Sequence, residues 1–414
     1  MGHLSQTPYQ DAAATLCPGL GHGLADGDSL VAPLVQSTTF GRDRVGSTAQ
    51  HQYSRVSNPT VATLEEALGH LEQALPATCF ASGMAAESAL FLGLLKAGDH
   101  VVCGQSVYGG TTRLLQQVLC DLGVESTFVD ATNLQAVAQA IRATTRLIFI
   151  ETPSNPTLEI TDIAGCAHVA HEAGALLAVD NTFMTPLLQR PLDLGADISV
   201  YSTTKFIEGH SVAMGGALLT RNQTLQDRFY FLRKCTGAIQ TPFNAWLTIN
   251  GLRTLPLRLR HQAETAEQVA QQLADQPGIK QVYYPTLGTT ASRELAQAQH
   301  EGAHGAVVTF EIDGSIETGR RFVESLRLCT LVEHVGSTQT LITHPATMTH
   351  ADVPTEQRAA VGISDTLLRL SVGLEPAEAI LNDILQALAS AVEFESVARE
   401  AGGQGEGQPC HSAR

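Results

Sequence analysis

Short apolar runs alternate with amphipathic stretches between about residues 77 and 220. The strand candidates are ATCFA, HVVCG, VESTFVD, RLIFIE, ALLAVDN, DISVYS and GGALLT, with helix-like segments such as GMAAESALFLGLLKAG and NLQAVAQAIRA between them. The runs are rich in Val, Ile and Leu and lack polar alternation, which predicts strands buried on both faces by covering helices. Regular alternation of such strands and helices predicts an open α/β domain with a mostly parallel sheet.

The pattern changes near residue 242, where one long helical run begins that we expect to break near Pro256. Two strand candidates, GAVVTFEID and TLLRLSVGLE, and further amphipathic helices follow it. A chain of 414 residues also exceeds what one hydrophobic core usually supports. We therefore predict an extended N-terminal arm, a large domain, a smaller C-terminal α+β domain and a glycine-rich disordered tail, over residues 1–57, 58–256, 257–400 and 401–414.

Net charge, apolar patterning and cysteine spacing together argue against several classes of protein. A net charge of −16 argues against electrostatic binding to nucleic acid or to an anionic membrane. The sequence has no apolar window long enough to span a bilayer and no secretory signal pattern, and its eight cysteines are scattered without a C-x-x-C pair. These features predict reduced thiols and a cytoplasmic location. His168, His171 and Glu172 imitate a zinc motif in the wrong order, so we expect no metal site there.

Two polar residues stand where buried strands end. Lys205 in YSTTKFIEGHS follows one strand, and Asp180 ends the strand ALLAVDN. Each residue alone would be a surface lysine or a turn aspartate. Together they suit pyridoxal phosphate, which needs a lysine for its aldehyde and an acid for its pyridine nitrogen. Tyr108 follows another strand and could stack on the pyridine, although an isolated tyrosine would be a half-buried packing residue.

The segment ASGMAAES is a candidate phosphate site. It places Ser82 and Gly83 between a strand and a helix that begins near Met84. Free N–H groups at a helix start bind anions without a basic side chain. A single Ser-Gly turn is a weak signal, but the hydroxyls of Ser202 and Thr204 beside the lysine strengthen it.

The motifs together resemble a known family. They are YSRVSNPT, ASGMAA, VYGGTTR, ETPSNPT, VDNTFMTPLLQRPLDLGAD, YSTTKFIEGHS, HPATMTH and LLRLSVGLE, in order between about residues 30 and 400. This set is similar to the Cys/Met-metabolism family of pyridoxal-phosphate enzymes, the trans-sulfuration enzymes. The resemblance implies fold type I of the pyridoxal-phosphate-dependent transferases, which is aspartate-aminotransferase-like, and pyridoxal 5′-phosphate as cofactor.

The resemblance also assigns cofactor roles. It implies that Lys205 carries the cofactor and serves as the catalytic acid and base, that Asp180 pairs with the pyridine nitrogen, and that Tyr108 stacks on the ring and takes part in catalysis. It places Asn155 near the cofactor's 3-hydroxyl. The implied phosphate cradle consists of Gly83, Met84, Ser202 and Thr204.

Substrate roles follow from the same resemblance. Arg369 matches the arginine that holds the substrate α-carboxylate through a planar, two-hydrogen-bond fork. Arg113 and Glu333 match residues that cystathionine-handling members direct at the distal end of the substrate. Gly110 replaces a cysteine that is common in methionine γ-lyases. His334 replaces the usual serine, and its imidazole could reshape the pocket or add a base.

The reaction implied is the making or breaking of a C–S bond at the γ-carbon of a homoserine-derived amino acid. Cystathionine γ-synthase and cystathionine γ-lyase are the leading candidates, with O-acylhomoserine sulfhydrylase and methionine γ-lyase next. An aminotransferase of the same fold and a catalytically silent pyridoxal-phosphate-binding protein are the candidates from different classes. A pure binding protein has no need of a proton-shuttling lysine such as Lys205.

Tyr53 and Arg55 match an arm motif that reaches the phosphate site of a neighbouring subunit. The expected assembly is a catalytic dimer, with two such dimers forming a tetramer, as closed symmetric homo-oligomers are common. Amino acids are the expected small-molecule partners.

Mixing two inactive variants tests this arrangement. Arg55→Ala and Lys205→Ala subunits, unfolded and refolded together, should recover about a quarter of the parent activity, because half of randomly assorted dimers are mixed and each mixed dimer has one intact site. Activity of the mixture is compared with that of each variant refolded alone. Recovery no greater than for the separate variants would contradict an arm that acts in trans.

Overall fold

The computed structural model describes residues 7–21, 27–349, 351, 356, 358 and 362–403. Seven strands form the larger sheet: β1 Thr78–Phe80, β2 His100–Gly104, β3 Glu125–Val129, β4 Thr145–Glu151, β5 Leu176–Asp180, β6 Ile198–Tyr201 and β7 Gly216–Leu219. Each coincides with one of the apolar runs in the sequence. Strand order is β1-β7-β6-β5-β4-β2-β3; β7 pairs antiparallel with β1 and β6, and the other pairs in this sheet are parallel. The mostly parallel α/β sheet predicted from the sequence is confirmed.

Helices cover the sheet and continue into a second domain. In chain order they are α1 Pro8–Leu16, α2 Pro59–Glu72, α3 Gly83–Leu94, α4 Gly109–Arg113, α5 Leu134–Gln139, α6 Ile163–Glu172, α7 Thr185–Leu188, α8 Gln223–Thr236, α9 Pro242–Leu252, α10 Leu255–Ala274, α11 Thr290–Gln299, α12 Ile316–Ser325 and α13 Ala377–Gly403. The break between α9 and α10 falls just before Pro256, as predicted.

Side-chain caps fix where several of these helices begin. Asn58 accepts a hydrogen bond from the Thr60 N–H at 2.9 Å, and Ser82 accepts one from the Ala85 N–H at 3.1 Å. Such caps satisfy N–H groups that have no partner inside the helix. Since α3 directly follows β1, its capped start is held at the carboxyl edge of the larger sheet.

The smaller domain is built on a five-stranded sheet. Its strands are β8 Ile279–Tyr283, β9 Val307–Ile312, β10 Thr330–Leu331, β11 Leu341–Thr343 and β12 Leu367–Ser371, in the order β10-β11-β12-β9-β8. The sequence indicated β9 and β12. The remaining three are short or partly polar, and their positions depend on pairing with those two and with each other.

The N-terminal segment is not wholly extended. Within the predicted arm, α1 forms after the Thr7 cap, with Pro8 at its first position. Ala13 and Cys17 from this region are buried in the core of the large domain. At the C-terminal end, α13 runs to Gly403, and residues 404–414 of the predicted tail lie outside the described residues. Across the described part of the chain, the helices are all too short or too polar to cross a bilayer.

Gly336 brings the segment before β11 against the backbone that carries Lys205. Its φ is +81°, a conformation that L-residues with side chains rarely adopt. A Cβ atom at this position would lie 2.4 Å from the Phe206 nitrogen and 2.7 Å from the Lys205 carbonyl carbon. Only glycine therefore permits this contact between the two parts of the chain.

Replacing this glycine should cost both stability and cofactor retention. Gly336→Ala should lower the free energy of unfolding by about 1–3 kcal/mol, because overpacking displaces the Lys205 backbone. Urea unfolding and equilibrium dialysis with pyridoxal phosphate measure the two effects. Gly98→Ala is the matched control, since Gly98 has φ +88° but nothing lies within 4 Å of the position that its new methyl group would take. Equal behaviour of the two variants would contradict the close-contact explanation.

Candidate active site

Side chains from several strand ends of the larger sheet meet at one cavity of about 260 Å³. They follow β1, β2, β4, β5 and β6, and the smaller domain closes the cavity with residues from β12 and the loop before β11. The carboxyl ends of parallel strands share one edge of a sheet, which is where ligands bind in open α/β folds. The predicted residues that line the cavity are Gly83, Met84, Tyr108, Arg113, Asn155, Asp180, Ser202, Thr204, Lys205, Glu333 and Arg369.

Lys205 and Asp180 both line this cavity, and their charges act on each other. Burial lowers the pKa of Lys205 to about 8, and the charge of Arg369 acts in the same direction while Asp180 opposes it. Burial raises the pKa of Asp180, against hydrogen bonds from Thr182, whose N–H donates to Oδ1 at 2.9 Å. The lysine amine therefore has a larger neutral fraction near neutral pH than an ordinary lysine, which favours its action as a base.

Two carboxyl groups that were not predicted from the sequence, those of Glu87 and Glu151, also line the cavity. Burial raises the pKa of Glu87 to about 8, helped by the charge of Asp180, while the Thr111 hydroxyl donates to Glu87 at 2.7 Å. Burial also raises the pKa of Glu151, which accepts a 2.6 Å hydrogen bond from the Tyr108 N–H. Glu151 ends the apolar run RLIFIE, and an acid at the end of a buried strand was the signal available in the sequence.

The four residues of the predicted phosphate cradle, Gly83, Met84, Ser202 and Thr204, all line this cavity. Gly83 opens α3, and a Cβ there would lie 2.9 Å from the Ser202 Cβ, so glycine allows the helix start to touch the strand end at Ser202. Ser202 Oγ makes no hydrogen bond within the described residues. Thr204 Oγ1 donates to the Gly215 carbonyl at 3.1 Å and accepts from the Gly215 N–H at 3.0 Å, which ties it to the strand that follows.

Tyr108 presents its ring to the cavity. The residue is 45% exposed and its backbone is anchored by the bond to Glu151. A Cβ at Gly110 would lie 2.5 Å from Tyr108 Cε1 and 2.7 Å from the Met84 sulfur. The absence of a side chain at Gly110 thus leaves room for both the Tyr108 ring and the Met84 side chain.

Arg369 on β12 is buried and reaches the cavity from the smaller domain. Nη1 donates to Asn155 Oδ1 at 2.8 Å, and Nη2 donates to Thr343 Oγ1 at 3.0 Å and to the His334 carbonyl at 3.3 Å. Nε is buried without a partner in the described part of the chain. Burial lowers the pKa of Arg369 to about 10, and a fixed, incompletely satisfied guanidinium suits a carboxylate ligand.

The cavity mouth carries opposite charges. Arg113 and Glu333 are both exposed and both line the cavity. His334 does not line this cavity. It lines a second, more open one of about 590 Å³ together with Lys205 and Met214, and its Nδ1 lies 3.3 Å from Lys205 Nζ.

Tyr53 and Arg55 lie outside the cavity of their own chain. The Arg55 Nη1 donates to the Lys234 carbonyl at 2.7 Å, and its guanidinium lies 5.4 Å from the centre of the Tyr53 ring. On α6, His168 pairs with Glu172 at 3.4 Å, whereas His171 contacts Asp197 at 3.0 Å. The described residues contain no group of three or more histidine, cysteine, aspartate or glutamate side chains arranged to hold a metal ion.

Comparison with known proteins agrees with this geometry. Residues 22–389 match the family described as Cys/Met metabolism PLP-dependent enzyme. The chain belongs to this family. It is accordingly a pyridoxal-phosphate-dependent enzyme, and the resemblance seen in the motifs is confirmed.

Individual relatives carry several activities. Cystathionine gamma-lyase of Bacillus subtilis is 42% identical over 89% of this chain and 97% of that protein. Cystathionine beta-lyase MetC of the same organism is 43% identical over 86% of this chain and 90% of that protein. A crystal structure of cystathionine gamma synthase from Xanthomonas oryzae pv. oryzae, with aminoacrylate and cysteine, has a TM-score of 0.88 and is 39% identical, covering 94% of this chain and all of that one. The expected fold type is thus confirmed.

The residues present fit the cofactor. Asp180 is a buried carboxyl whose charged form needs a cationic partner, which a protonated pyridine nitrogen would supply. The glycine contact at Gly83 leaves helix N–H groups beside the Ser202 hydroxyl, which suits a phosphate. The neutral fraction of Lys205 suits reaction with an aldehyde.

The lowered pKa of Lys205 predicts a pH-dependent stability of the cofactor-free protein. Between about pH 8 and 10.5 the unfolded chain holds a proton that the folded chain has lost, so the lysine makes the free energy of unfolding rise with pH in this window. Below it, burying the charged amine costs stability. Lys205→Met should therefore be about 1–3 kcal/mol more stable than the parent near pH 7, and this difference should shrink towards pH 10.

Urea unfolding across this pH range measures the difference. Lys96→Met is the control for replacing an exposed lysine. A Lys205→Met difference that stays constant with pH would contradict the lowered pKa.

Proposed function

We propose that this enzyme makes or breaks the Cγ–S bond of cystathionine, as a γ-synthase or a γ-lyase. The observation that carries the proposal is that two exposed residues of opposite charge, Arg113 and Glu333, line the same cavity as the buried Arg369. Cystathionine has an amino acid group at each end. Arg369 would bind the carboxylate of the reacting end, while Arg113 and Glu333 would meet the distal carboxylate and ammonium.

The proposal assigns the cofactor to five residues of the large domain. Lys205 would bind its aldehyde, Asp180 its pyridine nitrogen and Tyr108 its ring face. The start of α3 at Gly83, with Ser202, would hold its phosphate. Bound pyridoxal phosphate supplies the electron sink that makes the Cα and Cβ protons of the substrate acidic.

Lys205 then has the central proton-transfer role. Once its amine is free, the neutral form can take a proton from a substrate carbon, and the ammonium form can return one. In the lyase direction the Cγ–S bond breaks, and the sulfur takes a proton and leaves as cysteine. Water then hydrolyses the remaining four-carbon part of the substrate to an oxo-acid and ammonia. In the synthase direction an O-acyl group leaves Cγ and the cysteine thiolate forms the new C–S bond there.

Gly110 favours this function over methionine γ-lyase. The family resemblance places a cysteine at this position in methionine γ-lyases, and any Cβ here would collide with the Tyr108 ring at 2.5 Å. The neutral methyl end of methionine would also leave Glu333 and Arg113 without charged partners.

A panel of reactions tests the proposal. The purified enzyme is assayed with cystathionine alone and with O-succinyl- or O-acetylhomoserine plus cysteine, plus sulfide, or with no nucleophile. Turnover of cystathionine to cysteine, an oxo-acid and ammonia, or its formation from cysteine, is the expected result. Turnover of methionine would indicate a methionine γ-lyase, and use of sulfide alone would indicate a sulfhydrylase. Stoichiometric accumulation of pyridoxamine phosphate would indicate an aminotransferase.

Glu333→Ala sharpens the test. The variant should lose about tenfold in kcat/KM with cysteine or cystathionine, since a charge of the bound amino acid loses its partner. Reaction with sulfide, which has no ammonium group, should change little. Steady-state kinetics with both nucleophiles measure the ratio, and Glu324→Ala, at an exposed glutamate on α12, is the control. Equal losses with both nucleophiles would show that Glu333 does not bind the amino acid.

A further inference from the structure

His334 contacts Lys205 from the second, more open cavity of about 590 Å³, here named the outer cavity, whereas the candidate active site of about 260 Å³ is the inner cavity. Lys205 lines both the inner cavity and the outer one, whereas His334 lines only the outer cavity. The 3.3 Å separation between Lys205 Nζ and His334 Nδ1 is within hydrogen-bond range. The imidazole therefore meets the lysine amine without occupying space in the inner cavity.

Two backbone contacts hold the segment that carries this imidazole. The His334 carbonyl accepts a hydrogen bond from Arg369, and Gly336, two residues later, lies against the Lys205 backbone. Nε2 is buried without a partner in the described part of the chain, so the polar contact of the ring is the one with Lys205. Because Lys205 is the polar partner of the His334 ring, we expect the role of His334 to lie in its effect on Lys205.

The charges around the ring decide which group carries the proton. Burial, together with the positive charges of Lys205 and Arg369, lowers the pKa of His334 to about 4. The negative charge of Asp180 acts on Lys205, and that of Glu333 acts on Arg369. Since Lys205 holds a proton far more tightly than His334 does, the imidazole is neutral and its Nδ1 accepts from the amine.

We propose that His334 is a positioning residue, whose Nδ1 accepts an N–H of the free Lys205 amine and so directs the lysine's lone pair, or its remaining protons, into the inner cavity. This rests on the proposed role of Lys205 in proton transfer. An amine with one N–H held on the outer side has fewer orientations to search before it meets a substrate carbon. Proton transfer requires such alignment.

Two variants of similar size separate the hydrogen bond from the packing. His334→Asn keeps an acceptor near the Nδ1 position, whereas His334→Leu fills the space without one. The first measurement uses cofactor-free protein: competitive acetylation across pH 6–11, with mass spectrometry of the Lys205 peptide, gives the pKa of the amine. Leucine should lower it by about one pH unit, since a hydrogen bond to the ammonium is lost, and asparagine should leave it close to the parent value.

The second measurement is kinetic, on the holoenzyme. His334→Leu should lower kcat about tenfold and leave KM nearly unchanged, because His334 lies outside the inner cavity, and His334→Asn should recover most of the loss. Val332→Ala, at another residue lining the outer cavity, is the control. If His334→Leu does not fold, His334→Ala takes its place in both measurements.

The outcomes are distinct. An unchanged or raised Lys205 pKa in the leucine variant, or equal effects of asparagine and leucine, would overturn the proposal. The acetylation result does not depend on the substrate. A negative reaction panel with a shifted Lys205 pKa would reject the proposed function alone, and normal cystathionine turnover with an unshifted pKa would reject the positioning role alone.

Discussion

Burial of opposite charges in one cavity is the constraint on which this site depends. Lys205 and Arg369 face Asp180, Glu87 and Glu151, and burial shifts each of these groups towards its neutral form. Such a set is stable only while its charges compensate one another or a bound ligand compensates them. A cofactor and a substrate that carry phosphate, pyridinium, carboxylate and ammonium groups provide that compensation. Burial, which makes these charges costly, also lowers the pKa of Lys205 and so favours proton exchange by its amine.

The segment that follows Lys205 is held from two directions. From one side, the buried Arg258 on α10 donates to the carbonyl of Phe206 at 3.3 Å and to that of Gly251 at 2.9 Å. Gly336 provides the second contact, since it lies against the Phe206 nitrogen. These contacts hold the backbone from which the Lys205 side chain extends into the cavity. The close approach of Gly336 also brings the nearby His334 imidazole to the Lys205 amine.

Much of this arrangement was predictable, for a physical reason. The strands of the large sheet are buried on both faces, so their apolar runs stand out, and ligand-binding residues such as Asp180 and Lys205 follow directly from the strand ends. Pairs distant in sequence were not predictable. Glu87 lies inside a helix, and its position in the cavity depends on how α3 packs. The contact of His334 with Lys205 depends on the close approach at Gly336, and the short strands β10 and β11 exist only through pairing with each other and with β12.

The helix α10 belongs to both domains. Leu255, Leu259 and Ala263 in its first half are buried in the core of the large domain, whereas Val269 and Leu273 in its second half are buried in the core of the smaller one. Unfolding of either core therefore frees one end of a helix whose other end is packed in the second core. We expect this continuity to couple the stabilities of the two domains, so that a ligand bound in the large domain also slows amide hydrogen exchange in the smaller sheet.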